Sequence, residues 1–535
     1  MEVHRDRPWM DYYPETMDLS FEIPECNLYT LLDKTVEKYG EHIAIIYEEE
    51  KITYNQLKNQ VDRLANAWKQ LGIQKGERMG LMVSNQPSYV ISYYAALKLG
   101  MIVVQINPHY TPRELLEIFH DSEVAYLVSE PENLEKVRYL QKSHSFQYIF
   151  VTERTIESDC FSCILDLIRH AEPLQETCSI NAKEDIAVIQ YTGGTTGKKK
   201  GAMLTHFNLI ANVIQSKALY GERMFVGEET ILTATPLYHV YGMTSGMNLG
   251  IYIGAANVLV NKFEIKKVLE IIQAHRPTFF PGVPKMYNAF VHYPEIDRYD
   301  LTCFKMCSSG SAPLPVEMIK KFEGLTGVSI GEGYGLSETS PTTHRNPPEG
   351  LTKIGSIGIP VPKTDCRIVD DNGEDLPEKS IGELLIKGPQ VMLGYWNKPE
   401  ETKQALRDGW FYTGDLATMD EDGYFYIVGR KKEMIIVGGF NVYPQEVEGI
   451  LYEHPDILDA AVVGIPDKES GELVKAFIVP KAGAEINSNE LKSFCYQHLT
   501  RYKVPKQFEI IDSLPRNAVG KVLKRVLLEE AKNQV

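Results

Sequence analysis

Cysteine is scarce and scattered in this chain. Eight occur in 535 residues, and only Cys160 and Cys163 stand as a CxxC pair. Without a second pair at zinc-ribbon spacing this does not build a structural metal site, and reduced thiols packed as small apolar residues are the simpler reading. Long apolar runs are missing too. The longest, Val90 to Ile106, is broken by Lys98 and Gly100, so it reads as helix, turn and buried strand rather than as a membrane span. The N-terminal MEVHRDRPWMDYYPE is charged and aromatic where a signal peptide would be apolar; a cytoplasmic protein is expected. Positive charge is in deficit, with 56 Lys and Arg against 72 Asp and Glu, a net charge of −16. That excludes a general nucleic-acid binder and leaves anionic ligands to local basic clusters. No internal repeat or low-complexity tract interrupts the chain.

What is present is a globular balance, 43% apolar and 24% charged, over a length that implies roughly two to four domains or subdomains. Tyr54, Leu57, Val61, Leu64, Ala65, Trp68 and Leu71 recur at three and four, which predicts an amphipathic helix. RMGLMVSN, MIVVQIN, VAYLVSE and YIFVTE follow as strands, with helical YVISYYAALKLG between the first two. Strand and helix in alternation predict parallel, doubly wound α/β sheets, which bind ligands beyond the carboxyl ends of their strands. From Gly355 the texture changes to short strands and turns (GSIGIPVP, CRIVDDNGE, GELLIKG), expected as a small β barrel over about 355–430. The fold expected is therefore α/β: a large N-terminal domain over 1–430, a boundary at 430–432 and a smaller α+β C-terminal domain over 433–535.

The segment QYTGGTTGKKKGAML, Gln190 to Leu204, follows the strand IAVIQY, and Thr205 is placed to cap a helix from His206 towards Leu219. It is not a Walker loop: the second glycine of that motif is replaced by lysine, and no lysine of the run precedes a hydroxyl residue. Its own physics allows two readings, a polyphosphate clamp or a flexible, turn-rich loop with solvated lysines. Glycines admit close backbone approach, consecutive N–H groups form a positive nest, and threonine hydroxyls and lysines supply donors and charge.

Five more segments complete an ordered set: PLYHVYG (Pro236 to Gly242), SSGSAPL (Ser308 to Leu314), GEGYGLSE (Gly331 to Glu338), YTGDL with IVGRKKE (Tyr412 to Glu433), and PRNAVGKVLKR (Pro515 to Arg525). Together they resemble the adenylate-forming superfamily of acyl-CoA and aryl-CoA synthetases, peptide-synthetase adenylation domains and luciferases. The match spans nearly the whole chain. QYTGGTTG, GAMLTH and GGFNVYPQEVE carry a closer likeness to bacterial long-chain fatty acid:CoA ligases.

The resemblance implies that ATP, Mg²⁺ and coenzyme A serve to convert a carboxylic acid to an acyl adenylate and then to a thioester. Thr192, Gly193, Gly194, Thr195, Thr196, Gly197 and Lys200 would hold the β and γ phosphates. Lys199 stands where relatives generally have proline, which is expected to leave the loop more mobile. Glu338, with Thr192, would hold Mg²⁺, and the Ser337 hydroxyl would reach the α phosphate. Tyr334 would face adenine with Ser311 and Ala312 opposite, and Glu332, Gly333, Gly335 and Ile427 would line the nucleotide. Asp415 and Arg430 would hold the ribose. His239, in an aromatic and apolar stretch, suits the acyl entrance and the substrate carboxylate. Lys521 would stabilise charge in the adenylation transition state. Rotation about Lys432 would exchange it for Gly438, Gly439, Phe440 and Asn441, which leave room for the pantetheine arm of CoA. The substrate class expected is a medium- or long-chain fatty acid; the alternatives are an aryl-acid ligase of the coumarate type and an inactive nucleotide- or lipid-binding relative. Peripheral membrane contact and a homodimer are compatible with this reading.

Overall fold

Apolar strands alternating with helices produce parallel sheets that need both faces covered, and the computed structural model of the chain contains two. It describes residues 7–17, 19–154, 161–192, 199–467, 469–517 and 520–533. The first sheet has eight strands in the order Gly394–Tyr395, Lys200–Thr205, Ile186–Thr192, Ile102–Gln105, Arg78–Met82, Tyr126–Ser129, Tyr148–Val151 and Ser162–Cys163. From Ile186–Thr192 onward its strands run parallel. The second has nine, in the order Ile359–Pro360, Thr342–Arg345, Ile330–Gly335, Met306–Ser309, Phe279–Gly282, Thr230–Thr233, Ala256–Leu259, Ile43–Tyr47 and Glu50–Thr53. Its middle is parallel and its ends antiparallel.

The predicted amphipathic helix is Tyr54–Gln70, with Leu57, Val61, Leu64, Ala65 and Trp68 buried. It starts where it does because the Thr53 side chain accepts from the Gln56 backbone while Gln56 returns the bond, a reciprocal cap. Helix Pro87–Lys98 is buried on every side beyond its first residue. One apolar core runs through it, from Leu81, Val103 and Val188 of the first sheet to Ile231, Phe279 and Met306 of the second. The sheets are thereby held face to face with their strand ends on a common side.

The structure inserts one strand that the sequence pattern did not reveal. Lys200–Thr205 pairs antiparallel with Ile186–Thr192, Lys200 opposite Thr192, so the glycine segment links two paired strands instead of leading directly to a helix. Gly193, Gly194, Thr195, Thr196 and Gly197 themselves lie outside the described residues. The helix after the strand is His206–Tyr220; Thr205 Oγ1 accepts from the Asn208 N–H at 3.1 Å.

The stretch expected as a barrel is a five-stranded antiparallel sheet of Asp365–Val369, Gly382–Lys387, Trp410–Met419, Leu406–Arg407 and Phe425–Arg430. Among the described residues no ladder joins its outer strands, so the pairing is open. After Glu433 the strands among the described residues pair with one another, in a sheet of Phe440–Val442, Ile435–Val437, Gly471–Pro480, Ile457–Asp467 and Gln507–Ile510. No helix among the described residues is long and apolar enough to cross a membrane.

Candidate active site

A cavity of about 1320 Å³ opens where the two parallel sheets, the antiparallel sheet and the C-terminal unit meet. Both parallel sheets present carboxyl strand ends to it: Gln105 and Thr192 from the first, Ser309 and Gly335 from the second. This is the side on which doubly wound sheets bind ligands. The volume exceeds the roughly 300–1,000 Å³ of an ordinary small-molecule pocket, which suits more than one substrate.

One wall is a bonded triad. Asp415 and Arg430 face each other across neighbouring strands of the antiparallel sheet. Asp415 Oδ1 lies 2.7 Å from Arg430 Nε, and its Oδ2 accepts from the Tyr334 hydroxyl. The Asp415 N–H is taken by Thr413 Oγ1 at 3.0 Å. Burial opposes charge on Arg430, but Asp415, Tyr334 and Glu338 outweigh it, and the guanidinium pKa is raised. Burial, then Asp415, holds the Tyr334 phenol well above its usual range, so it stays a neutral donor. Asp415 sits just behind the cavity surface; Thr413, Gly414, Tyr334 and Arg430 form that surface.

Opposite lie groups suited to anions. Thr192 and Lys200 stand on the wall. Lys200 Nζ is 4.8 Å from the centre of the Tyr395 ring, and the Tyr395 hydroxyl donates to Glu338 Oε1 at 2.8 Å. Ser337 and Glu338 reach the cavity from a short turn after Gly335. Gly335 is required there, because a Cβ would lie 2.1 Å from the Pro341 carbonyl oxygen. Lys199 Nζ is 3.2 Å from Glu114 Oε1 and 3.4 Å from the centre of the Tyr110 ring; the loop before it, expected to be more mobile, lies outside the described residues. That pairing ties the strand to helix Pro112–Ser122.

Lys521 comes from the C-terminal unit, in a turn where Arg516 bridges to Val522. The Lys521 N–H donates to Asn517 Oδ1 at 2.9 Å, and its carbonyl accepts from the Asn517 N–H at 2.9 Å. The residue is exposed, and it lines the cavity. Burial lowers the ammonium pKa, Arg430 adds to that, and Asp415 and Glu433 oppose it. Lys432 is on the wall as well.

His239 marks the apolar side. Burial lowers its pKa to about 4, leaving it neutral at neutral pH, and its Nδ1 accepts from the Tyr241 N–H at 3.3 Å. The following residues, Gly242–Asn248, form a π-helical segment, an irregularity that recurs at functional sites.

Several expected residues stay off the wall. Ser311 and Gly333 line the cavity, whereas Ala312, Glu332 and Ile427 do not. The Glu332 carboxylate is occupied in holding two loops, accepting from the Leu314 N–H at 3.2 Å and the Gly355 N–H at 3.2 Å. Ile427 packs with Tyr334 against the core of the antiparallel sheet. Gly438 to Asn441 form the turn and start of an exposed hairpin, where Phe440 stacks on Tyr502 at 4.8 Å. Tyr395 was missed by sequence reasoning. Its only signal is a Gly-Tyr pair after an apolar run, and its place beside Glu338 depends on Tyr395 pairing with Ala202.

The model of the AMP-binding enzyme family matches residues 32–396, and that of its C-terminal domain matches residues 446–521. A long-chain-fatty-acid–CoA ligase of Bacillus subtilis is 42% identical, over 99% of this chain and 99% of its own. Among solved structures, ATP-bound MatB from Rhodopseudomonas palustris is 32% identical with a TM-score of 0.87, over 96% of this chain and all (100%) of its own. The anthranilate CoA ligase AuaEII in complex with anthranoyl-AMP is 28% identical with a TM-score of 0.88, over 96% of this chain and 99% of its own.

Proposed function

Because the chain belongs to the AMP-binding enzymes, we propose that it is an acid:CoA ligase acting on a medium- or long-chain fatty acid. The acid's carboxylate oxygen attacks the α phosphorus of ATP and pyrophosphate leaves; the CoA thiol then attacks the acyl carbonyl and AMP leaves. The observation that carries this reading is the convergence of Lys521, Arg430 backed by Asp415, and Glu338 on one cavity from three parts of the chain.

Each residue then has a task suited to its surroundings. Asp415, already oriented by two donors, and Arg430 engage the ribose, and the Tyr334 ring faces adenine. Thr192 and Lys200 bind phosphate oxygens, and the Ser337 hydroxyl donates to the α phosphate. Neutral His239 orients the substrate carboxylate without neutralising the nucleophile. Lys521 meets the charge that grows on the α phosphate as the acid attacks, an interaction stronger in the transition state than before it.

The donors present fit Mg²⁺. Glu338 keeps Oε2 without a partner among the described residues while Tyr395 holds Oε1, and Thr192 adds a hydroxyl; such hard oxygens, completed by substrate phosphates, are the usual Mg²⁺ set. Bound there, the ion would offset phosphate charge.

In this proposal 1–430 and 433–535 are two domains, and rotation about Lys432 brings Gly438 to Asn441 to the pantetheine arm. Cytoplasmic location, peripheral membrane contact and a homodimer complete it, to be tested by fractionation and sedimentation. The central test is pyrophosphate exchange into ATP with Mg²⁺ and no CoA, across fatty, aromatic and amino acids. Exchange greatest with fatty acids is expected; exchange with aromatic acids alone would replace the substrate class, and nucleotide binding without exchange would sink the ligase reading.

A further inference from the structure

Arg345 ends the strand Thr342–Arg345, opposite Gly333 in the antiparallel ladder. Its side chain lines the cavity although the residue is only 4% exposed. Unlike Arg430, it has no carboxylate. Among the described residues its guanidinium makes no ion pair and no hydrogen bond, and its Nε is buried without a partner. Its one neighbour of note is the Tyr220 ring, whose centre is 4.7 Å away. Burial lowers its pKa to about 10, so it remains a cation at neutral pH, and a buried cation without a counter-charge is costly to keep.

A Cβ at Gly333 would lie 3.5 Å from Arg345 Nε, so the absence of a side chain there leaves the guanidinium bare. The same cavity carries His239 and Tyr241 on its apolar side and Ser309, whose buried hydroxyl also lacks a partner among the described residues. A plain hydrocarbon tail offers Arg345 and Ser309 nothing, whereas an anionic second end would satisfy both.

Resting on the ligase reading, we propose that Arg345 is a specificity-determining residue that receives a second carboxylate, making the preferred substrate an α,ω-dicarboxylic fatty acid. The planar fork of arginine suits bidentate carboxylate recognition, and a site with an unmet buried charge rejects the analogue lacking the matching group.

The test compares kcat/KM in pyrophosphate exchange for monocarboxylic and α,ω-dicarboxylic acids of equal chain length, with the wild type, R345M and R345K. The wild type should favour the diacid by about tenfold or more; R345M should reverse the preference and R345K keep part of it. A wild type that favours the monoacid, with R345M leaving the ratio unchanged or only admitting longer chains, overturns the proposal. If R345M loses its cooperative thermal transition, the wild-type ratio and R345K decide. Failure of the ligase reading has a different signature, no exchange with any acid. In that event calorimetric titration of the wild-type protein with matched mono- and diacids still decides, tighter diacid binding supporting the assignment and equal binding overturning it.

Discussion

Asp415 and Phe440 occupy opposite extremes of this molecule. Asp415 is 3% exposed, with one carboxylate oxygen on Arg430, the other accepting from Tyr334 and its N–H on Thr413. Phe440 is 58% exposed at the tip of a hairpin and leans on Tyr502; the glycines before it, at φ +58° and +85°, have open space where a Cβ would point. The wall proposed to hold the nucleoside is finished before any substrate arrives, so little would remain to be ordered when ribose binds. The hairpin is unfinished in this arrangement, and its proposed contact with CoA requires the C-terminal unit to turn. Lys521 stands between these extremes: it is in the cavity, but on a turn closed by its own two bonds to Asn517 and by the Leu523 N–H on the Pro515 carbonyl at 2.7 Å.

The comparison breaks most visibly at Lys521. Lys521→Ala should lower pyrophosphate exchange by about 10²–10³-fold, the scale of losing one transition-state donor. Thioester formation from a supplied acyl adenylate should be nearly unchanged; equal loss in both steps would remove Lys521 from the adenylation role. The wild-type adenylation rate should also fall as pH rises, because the ammonium is the active form. Since burial and Arg430 lower its pKa, the fall should begin below the ordinary lysine range and be absent in the alanine variant.

A smaller effect separates the hairpin from the wall. Gly439→Ala puts a Cβ on a residue at φ +85°, a strain of about 1–2 kcal/mol with no steric collision to add to it. Thioester formation should slow by roughly tenfold as the turn changes shape, while exchange stays at the wild-type rate. Slower exchange would mean that the hairpin takes part in adenylation.

The same contrast decides what could be read without coordinates. Helix Tyr54–Gln70 was legible because its apolar period is a local property of the chain, and the alternating elements dictated the parallel sheets. Strand Lys200–Thr205 was not, since KGAMLT is short and contains glycine, and its pairing partners are the strands before and far after it. At the site, Glu338, Asp415, Arg430 and Lys521 were located only by resemblance to a family; singly, each is one charged residue among many. Glu332 shows the limit of that route. Its motif places it beside Tyr334, yet strand alternation turns its carboxylate towards the Leu314 and Gly355 backbone. Tyr395 and Arg345 were invisible for a related reason: strand pairing, rather than local pattern, aims them at the cavity.

The smallest effect probes how far the finished wall depends on each bond. Tyr334→Phe removes one donor to Asp415 and keeps the ring that would face adenine. The carboxylate remains paired with Arg430 at 2.7 Å, so it is not left alone with a buried charge, and the loss should be that of one hydrogen bond, about 1 kcal/mol. The KM for ATP should rise about fivefold with kcat nearly unchanged. A Tyr334→Phe enzyme with an unaltered KM would show that Arg430 alone orients Asp415. A drop in kcat of similar size to that of Lys521→Ala would instead mean that the tyrosine hydroxyl acts on the reacting atoms, and the wall would no longer be a passive scaffold for the ribose.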